Sequence, residues 1–413
     1  MVANGNNNWK STKLEELCGQ ITDGKHGDCQ DKPDSGFYFL SCKDVVNGKL
    51  NYEGARQITE ADFLDTHRRT KFEPSDVLIT NSGTIGRMAL APDNELTRKT
   101  TFQKSVAILK PVADRVEPSF LYYALQGDMH RLIEYAGGTA QKNLLLRDLR
   151  AFEVLVPPQP VQRRIAGILS AYDELIENSQ RRILILETMA RALYREWFVL
   201  FRFPGHDKLP RVASSLGKIP KGWEVKRLPE SVHVNPRVAV PREGEKPFVP
   251  MSCLSNDSML ISDINSREGN SGAKFQNGDT LFARITPCLE NGKTGYVQFL
   301  PDAEAVAFGS TEFIVLRSRT LTPEFVYCFA RSEEFRSVAI KSMSGATGRQ
   351  RVQEKCFDDF QIAQPPRALL DKYSAIVAPS FHLIYKLHLQ IQNLRSTRDL
   401  LLPRLLSGQV RLD

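Results

Sequence analysis

The chain has 413 residues, 41% of them hydrophobic and 25% charged. That is an ordinary composition for two or three globular domains, each large enough for its own core. The net charge of +7 and pI of about 8.9 admit nucleic acid as a partner but do not require it. No apolar stretch approaches a membrane span, and the Asn-rich opening from Met1 to Asn8 lacks the apolar core of a signal peptide. The seven cysteines are scattered, without a C-x-x-C pair, which favours reduced thiols in a cytoplasm over disulfides or a zinc site.

From Trp9 the chain is mixed and punctuated by Gly and Pro up to Pro158. β-like runs are expected at Phe37–Ser41, Val77–Thr80, Val106–Lys110 and Phe152–Val156, with a short helix from Pro118 to Gln126. A helical stretch follows, and then the turn formers of Gly205 to Gly222, which read as a connector. A second mixed region runs from Trp223 to Pro366. Its β-like runs are Thr280–Ala283, Gly295–Phe299, Glu312–Arg317 and Phe360–Ala363, with a helix from Pro323 to Arg331. A second helical stretch closes the chain. Both mixed regions carry Phe-x-x-x-Asp before an apolar run, at Phe72 to Asp76 and Phe275 to Asp279.

The chain repeats itself at an offset of 208 residues. Phe152 to Pro158 matches Phe360 to Pro366, and Ile168, Leu175, Ile183 and Leu193 fall on Ile376, Leu383, Ile391 and Leu401. A duplication of this length implies two related modules. In the helical stretches, alternating spacings of four and three pick out Ile165, Leu169, Tyr172, Ile176, Ser179, Ile183, Leu186, Ala190, Leu193 and Trp197. The second copy gives Tyr373, Val377, Ser380, Ile384, Leu387, Ile391, Leu394, Arg398, Leu401 and Leu405. Such a stripe needs a partner helix, and each copy supplies one for the other. Pro379, and the capping pattern of Ser170 with Asp173, predict a break near 170 and 379 before each long helix.

No catalytic constellation emerges. Asn235-Pro236-Arg237-Val238 lacks the second Pro and the aromatic of an amino-methylase loop, and Gly83-Thr84-Ile85-Gly86 is too short for a dinucleotide fingerprint. His26, Asp28 and Cys29 share a Gly-rich turn, but no second ligand pair lies near them, so a polar loop is the expectation. The polar loops suit binding better. Those of the first half carry Lys25, His26, Asn81, Ser82, Thr84, Arg87, Thr139, Gln141 and Lys142. Those of the second carry Arg237, Arg284, Thr286, Lys293, Arg349, Gln350 and Arg351. Arg, Lys, Asn and Gln match purine edges in the major groove, and Ser, Thr and Gly suit phosphates.

The run Pro157-Pro158 into Gln162-Arg163-Arg164-Ile165-Ala166-Gly167-Ile168-Leu169-Ser170 opens a set of family motifs. Trp197-Phe198, Phe203-Pro204-Gly205, Ser215-Leu216-Gly217 and Ile219-Pro220 follow, with the ending Leu400-Leu401-Leu402-Pro403 to Ser407-Gly408. Together with Ile21-Thr22-Asp23-Gly24, these motifs resemble the specificity (S) subunit of type I restriction–modification systems over nearly the whole chain. The second copy departs from the first, with Arg367-Ala368-Leu369 in place of Gln-Arg-Arg.

The resemblance implies two α/β (α+β) target-recognition domains, separated by two long α-helices that form an antiparallel coiled coil with a pseudo-two-fold repeat. Recognition domains are expected at 1–158 and 223–366, helical spacers at 159–203 and 367–413, and a connector at 204–222. It implies a non-catalytic cytoplasmic protein of a bacterium or archaeon. Each domain would read one half of an asymmetric bipartite site in double-stranded DNA. The helices would dock two methyltransferase (M) subunits, which bind S-adenosylmethionine, and motor-nuclease (R) subunits would join for cleavage. The chain itself would carry no cofactor and no metal. A helix from about 172 to 202 spans roughly 45 Å, enough to hold two reading heads one DNA turn, ~34–36 Å, apart. The competing readings are a DNA methyltransferase with its own recognition domain, which lacks cofactor motifs here, and a coiled-coil scaffold without a DNA role.

Overall fold

The computed structural model describes residues 9–135, 143–241, 243–346, 348–410 and 412. It divides into two compact units. The first comprises the chain up to Ile176 together with Asn393 onward, and the second is Glu177–Gln392. Both divisions fall inside long helices, Gln159–Tyr194 and Arg367–Leu406.

In the first unit an antiparallel sheet has the spatial order Cys18–Asp23, Val106–Pro111, Val77–Thr80, Met88–Leu90. Its central strands are apolar without alternation because both faces are covered. Val77, Ile79, Ala107 and Leu109 face one core with Phe120 and Leu121. Leu78, Val106 and Ile108 face another with Leu40, Phe72 and Phe102. Beside the sheet, Tyr38–Leu40 pairs in parallel with Thr100–Phe102, and Lys10–Lys13 pairs antiparallel with Glu153–Val156.

The second unit repeats this plan. Its sheet order is Val232–Val234, Phe313–Ser318, Thr280–Ala283, Thr294–Tyr296. Lys246–Val249 pairs in parallel with Ala307–Gly309, and Glu224–Arg227 pairs antiparallel with Gln361–Gln364. Helices Pro118–Gly127 and Pro323–Ala330 occupy matching places, each with Pro in its first turn, where a missing N–H is harmless. The excursions differ. The first unit inserts the helix Glu60–Thr70, and the second inserts the strands Asn265–Arg267 and Ala273–Phe275.

Each unit takes part of both long helices into its interior. In the first, Ile165 and Leu169 join Leu401, Leu402, Leu405 and Leu406 around Phe120 and Tyr123. The Tyr123 hydroxyl donates to Asp173 Oδ2 at 2.7 Å, and the Arg398 guanidinium pairs with the other oxygen of the same carboxylate. In the second, Tyr194 and Phe198 meet Phe325 edge to face, and Trp197 and Phe198 lie against Tyr373.

Two expectations about the helices are corrected. Neither helix breaks near 170 or 379. Pro379 lies on the exposed face, where water can satisfy the carbonyl it leaves unbonded. Ser170 bonds back to the Gly167 carbonyl within the helix instead of capping one. The stripe also drifts. Ile165, Leu169, Ile176, Ile183, Ile384, Leu387 and Ile391 are buried, whereas Tyr172, Leu186, Leu193, Leu394 and Leu401 are half-buried. Past Ile183 the buried positions become Glu187, Ala190, Tyr194 and Trp197. The four-three spacing resumes after Glu187, and Ala190 and Trp197 of the expected stripe stay buried, while Glu187 and Tyr194 take the places of Leu186 and Leu193.

The duplicated Phe-x-x-x-Asp pattern builds one device twice. Asp76 accepts from the Glu73 N–H at 2.9 Å and Asp279 from the Gln276 N–H at 2.8 Å. Each then meets a cation on the neighbouring strand. Lys110 Nζ is 2.7 Å from Asp76, and Arg317 grips Asp279 with two bonds of 2.6 and 2.7 Å. Burial raises both carboxyl pKa values, Asp76 to about 6, against the opposing pull of the cations. The folded first unit therefore keeps a proton on Asp76 between about pH 4 and 6 that the unfolded chain has lost, so stability falls as pH rises through that window. Urea unfolding of Asp76→Asn and the parent from pH 4 to 6.5 should show the parent losing on the order of 2–3 kcal/mol relative to the variant. Parallel curves would mean that Lys110 keeps the carboxylate ionised.

Candidate nucleic-acid interface

The polar loops leave the ends of these sheets, and the chain's own carboxylates hold much of their basic charge. In the first unit, Gly24 follows the strand Cys18–Asp23 so tightly that a Cβ would run into the Phe102 carbonyl, which is why glycine stands in Ile21-Thr22-Asp23-Gly24. Next to it, Lys25 Nζ lies 2.9 Å from Asp62 and 3.3 Å from Asp65. The Lys25 hydrogen bond holds the Asp62 carboxyl down at about 2. His26 Nε2 is 2.8 Å from Asp23 Oδ2. Arg69 donates to Thr22 Oγ1 at 3.0 Å, to Asp23 Oδ1 at 3.2 Å and to the Gly24 carbonyl.

The second loop of this unit is built on Thr80, whose hydroxyl donates to the Thr84 carbonyl and accepts from the Arg87 N–H at 2.9 Å. Asn81 is buried, and its Oδ1 has no partner among the described residues. Ser82 is half-buried, and Thr84 and Arg87 are exposed. Arg87 makes two long contacts, to the Cys42 and Val45 carbonyls at 3.5 and 3.4 Å. Thr139, Gln141 and Lys142 lie outside the described residues.

In the second unit the loops converge. Asn235 Nδ2 donates to Glu354 at 2.8 Å, and Arg284 Nη1 binds the other oxygen of that carboxylate at 2.6 Å. Burial leaves the Arg284 Nε–H unpartnered. Arg351 forms a two-pronged pair with Glu312 at 2.7 and 2.9 Å, which lowers the pKa of Glu312. The Thr286 and Gln350 backbones bond at 3.0 Å, and the Gln350 N–H returns to Thr286 Oγ1 at 3.1 Å. Arg237, Arg284, Thr286, Arg349, Gln350 and Arg351 therefore sit on neighbouring loops. Arg237 and Arg349 are exposed and without a side-chain partner among the described residues. Lys293 turns instead to the Met251 carbonyl at 2.9 Å.

His26, Asp28 and Cys29 point to three different surroundings. His26 bonds Asp23, Asp28 bonds Arg56 at 2.7 Å, and Cys29 is buried with its thiol pKa raised by desolvation. Among the described residues no group of three or more His, Cys, Asp or Glu side chains is placed to hold a metal ion. Sequence reasoning missed the acids that position the basic groups: Asp62, Glu312 and Glu354. Asp62 was within reach, since Thr59-x-x-Asp62 is a capping pattern and Thr59 Oγ1 does accept from the Asp62 N–H at 3.3 Å. Glu312 and Glu354 carry no local signal, because they meet their arginines across 39 and 70 residues.

Residues 6–188 match the family model described as the type I restriction modification DNA specificity domain. A Methanocaldococcus jannaschii protein named type I restriction enzyme MjaIX specificity subunit is 26% identical, across 98% of this chain and 94% of its own. The Escherichia coli EcoEI specificity subunit is 33% identical over 36% of this chain and 26% of its own. The fold is similar to that of the S subunit of a type I restriction-modification system from M. genitalium, with a TM-score of 0.61 at 18% identity and 98% coverage of both chains.

The Arg284–Glu354 pair is partly exposed, at 25% and 36% of the side chains. Its loss should therefore fall between the values for surface and buried pairs. Glu354→Ala should lower stability by about 1 kcal/mol in urea unfolding. An unchanged midpoint would show that the carboxylate holds nothing in place.

Proposed function

We propose that this chain is a specificity subunit of a type I restriction–modification system, the subunit that gives such a complex its DNA sequence specificity. The observation that carries the reading is the likeness to a specificity subunit along nearly the whole of both chains. The repeat supports it. One sheet order occurs twice, while the inserted elements and loop side chains differ. Two heads on one plan with different loops suit two different half-sites. Exposed Arg87 in the first unit and Arg237 and Arg349 in the second suit contacts with DNA, and the paired Lys25, Arg284 and Arg351 are each held in one geometry by a carboxylate.

The long helices act as the spacer in this reading. Within the first unit Asp173, on the first helix, meets Arg398 near the end of the second. Within the second unit Trp197, near the end of the first helix, meets Tyr373 near the start of the second. These contacts support an antiparallel pair. Leu184, Ile185 and Met189 are exposed apolar side chains on the first helix, 60%, 50% and 61% accessible. Such a patch on a structured helix suits a protein partner, and the methyltransferase subunit is the partner we assign to it. The chain itself is then non-catalytic, and the methyl donor S-adenosylmethionine belongs to that partner.

The purified chain should transfer no methyl group to DNA and give no heat with S-adenosylmethionine in calorimetry. Mixed with its methyltransferase partner, it should direct methylation to one bipartite sequence. Methyl transfer by the chain alone would overturn the assignment. The double variant Leu184→Glu, Met189→Glu should keep the parent melting temperature, because both side chains are exposed. It should weaken co-elution with the methyltransferase subunit by at least tenfold. Unchanged co-elution would place the docking surface elsewhere.

A further inference from the structure

Both units carry an arginine laid on the same phenylalanine, and they treat it differently. Phe39 and Phe248 occupy matching places on the strands Tyr38–Leu40 and Lys246–Val249, each paired in parallel with a partner strand. Arg56 lies over the Phe39 ring, 5.4 Å from its centroid, and Arg267 over Phe248 at 5.0 Å. Arg56 is fully occupied. Its guanidinium binds Asp28 at 2.7 Å, the Cys29 carbonyl at 2.6 Å and Asp31. Arg267 is exposed, and its guanidinium has no hydrogen bond or ion pair among the described residues. The contact with the ring restrains the guanidinium, and its N–H groups stay open.

That edge borders an open recess of about 540 Å³ floored by Phe248 and Phe308, with Glu268, Asn270 and Ser310 on its rim. The recess adjoins the converging loops. The Ser310 hydroxyl accepts from the N–H of Glu312, whose carboxylate holds Arg351. The rim thus offers a fork of donors, an amide that both donates and accepts, and a free carboxylate acceptor. Glu268 would repel a phosphate but accept from the exocyclic amino group of cytosine or adenine. An arginine fork matches O6 and N7 of guanine.

We propose that Arg267, laid over Phe248 and backed by Asn270 and Glu268, reads a base edge in the half-site of the second unit. The inference rests on the DNA-specificity reading above. Arg284 and Arg351, held by Glu354 and Glu312, are then positioning residues.

The test uses the complete chain assembled with its methyltransferase partner on a randomised duplex library, with methylated sequences read out by sequencing. The parent complex should select one bipartite sequence. Arg267→Ala should lose about 5- to 150-fold discrimination at a single base pair of one half-site and leave the other half-site intact. Arg267→Lys keeps the charge but loses the fork, and should relax the same base pair. Both variants should melt with the parent, since the side chain is exposed. An unchanged sequence preference, or a uniform loss across all sequences, would overturn the base contact. A parent complex without any sequence preference would overturn the functional reading itself.

Discussion

The first unit depends on the far end of the chain. Its core is finished by Leu401, Leu402, Leu405 and Leu406, and Arg398 closes over Asp173 beside Tyr123. Gly127 sits so close to this segment that an added Cβ would lie 2.5 Å from Leu406. The second unit has the same need and meets it with Tyr194, Trp197 and Phe198. A head made from its own mixed region alone would leave those surfaces open to water. Loop-closure entropy opposes contacts across so many residues. The long helices offset it because a single helix delivers a whole row of side chains once its first turns are docked.

Within each head, buried charge sets the sheet. Asp76 with Lys110 and Asp279 with Arg317 occupy equivalent corners. A buried pair of this kind adds little net stability, yet breaking one leaves an uncompensated charge in the interior. Its value here is positional: it ties the turn before one central strand to the neighbouring strand. The same logic reappears at the loops with looser burial, where Glu354 and Glu312 hold Arg284 and Arg351. A polar surface meant to meet an ordered partner benefits from side chains already held in one geometry, because less freedom is lost on binding.

Legibility in the sequence followed the range of the interactions. The runs Val77–Thr80 and Thr280–Ala283 are strands with the expected bounds, since continuous apolar burial is written locally. The helices at Pro118 and Pro323 were equally plain. The break expected at Pro379 failed because a proline's cost depends on which face it occupies, and that face is set by what the rest of the helix packs on. The drift of the buried stripe from Leu186 and Leu193 to Glu187 and Tyr194 has the same origin. Glu187 is tolerated inside because Ser258 Oγ and the Met259 N–H donate to it at 2.6 and 2.9 Å.

The sequence by itself determined the duplication, the strand runs that recur in each copy and the long helices, because repeat, period and composition are properties of neighbours along the chain. The tertiary structure decided which basic side chains are already engaged. Lys25, Arg284 and Arg351 stand as binding candidates in the sequence and are paired in the fold, while Arg267, unremarkable as a letter, lies over Phe248 and is open. An ion pair or a ring contact is a coincidence of two distant segments in space, and no local pattern along the chain records that meeting.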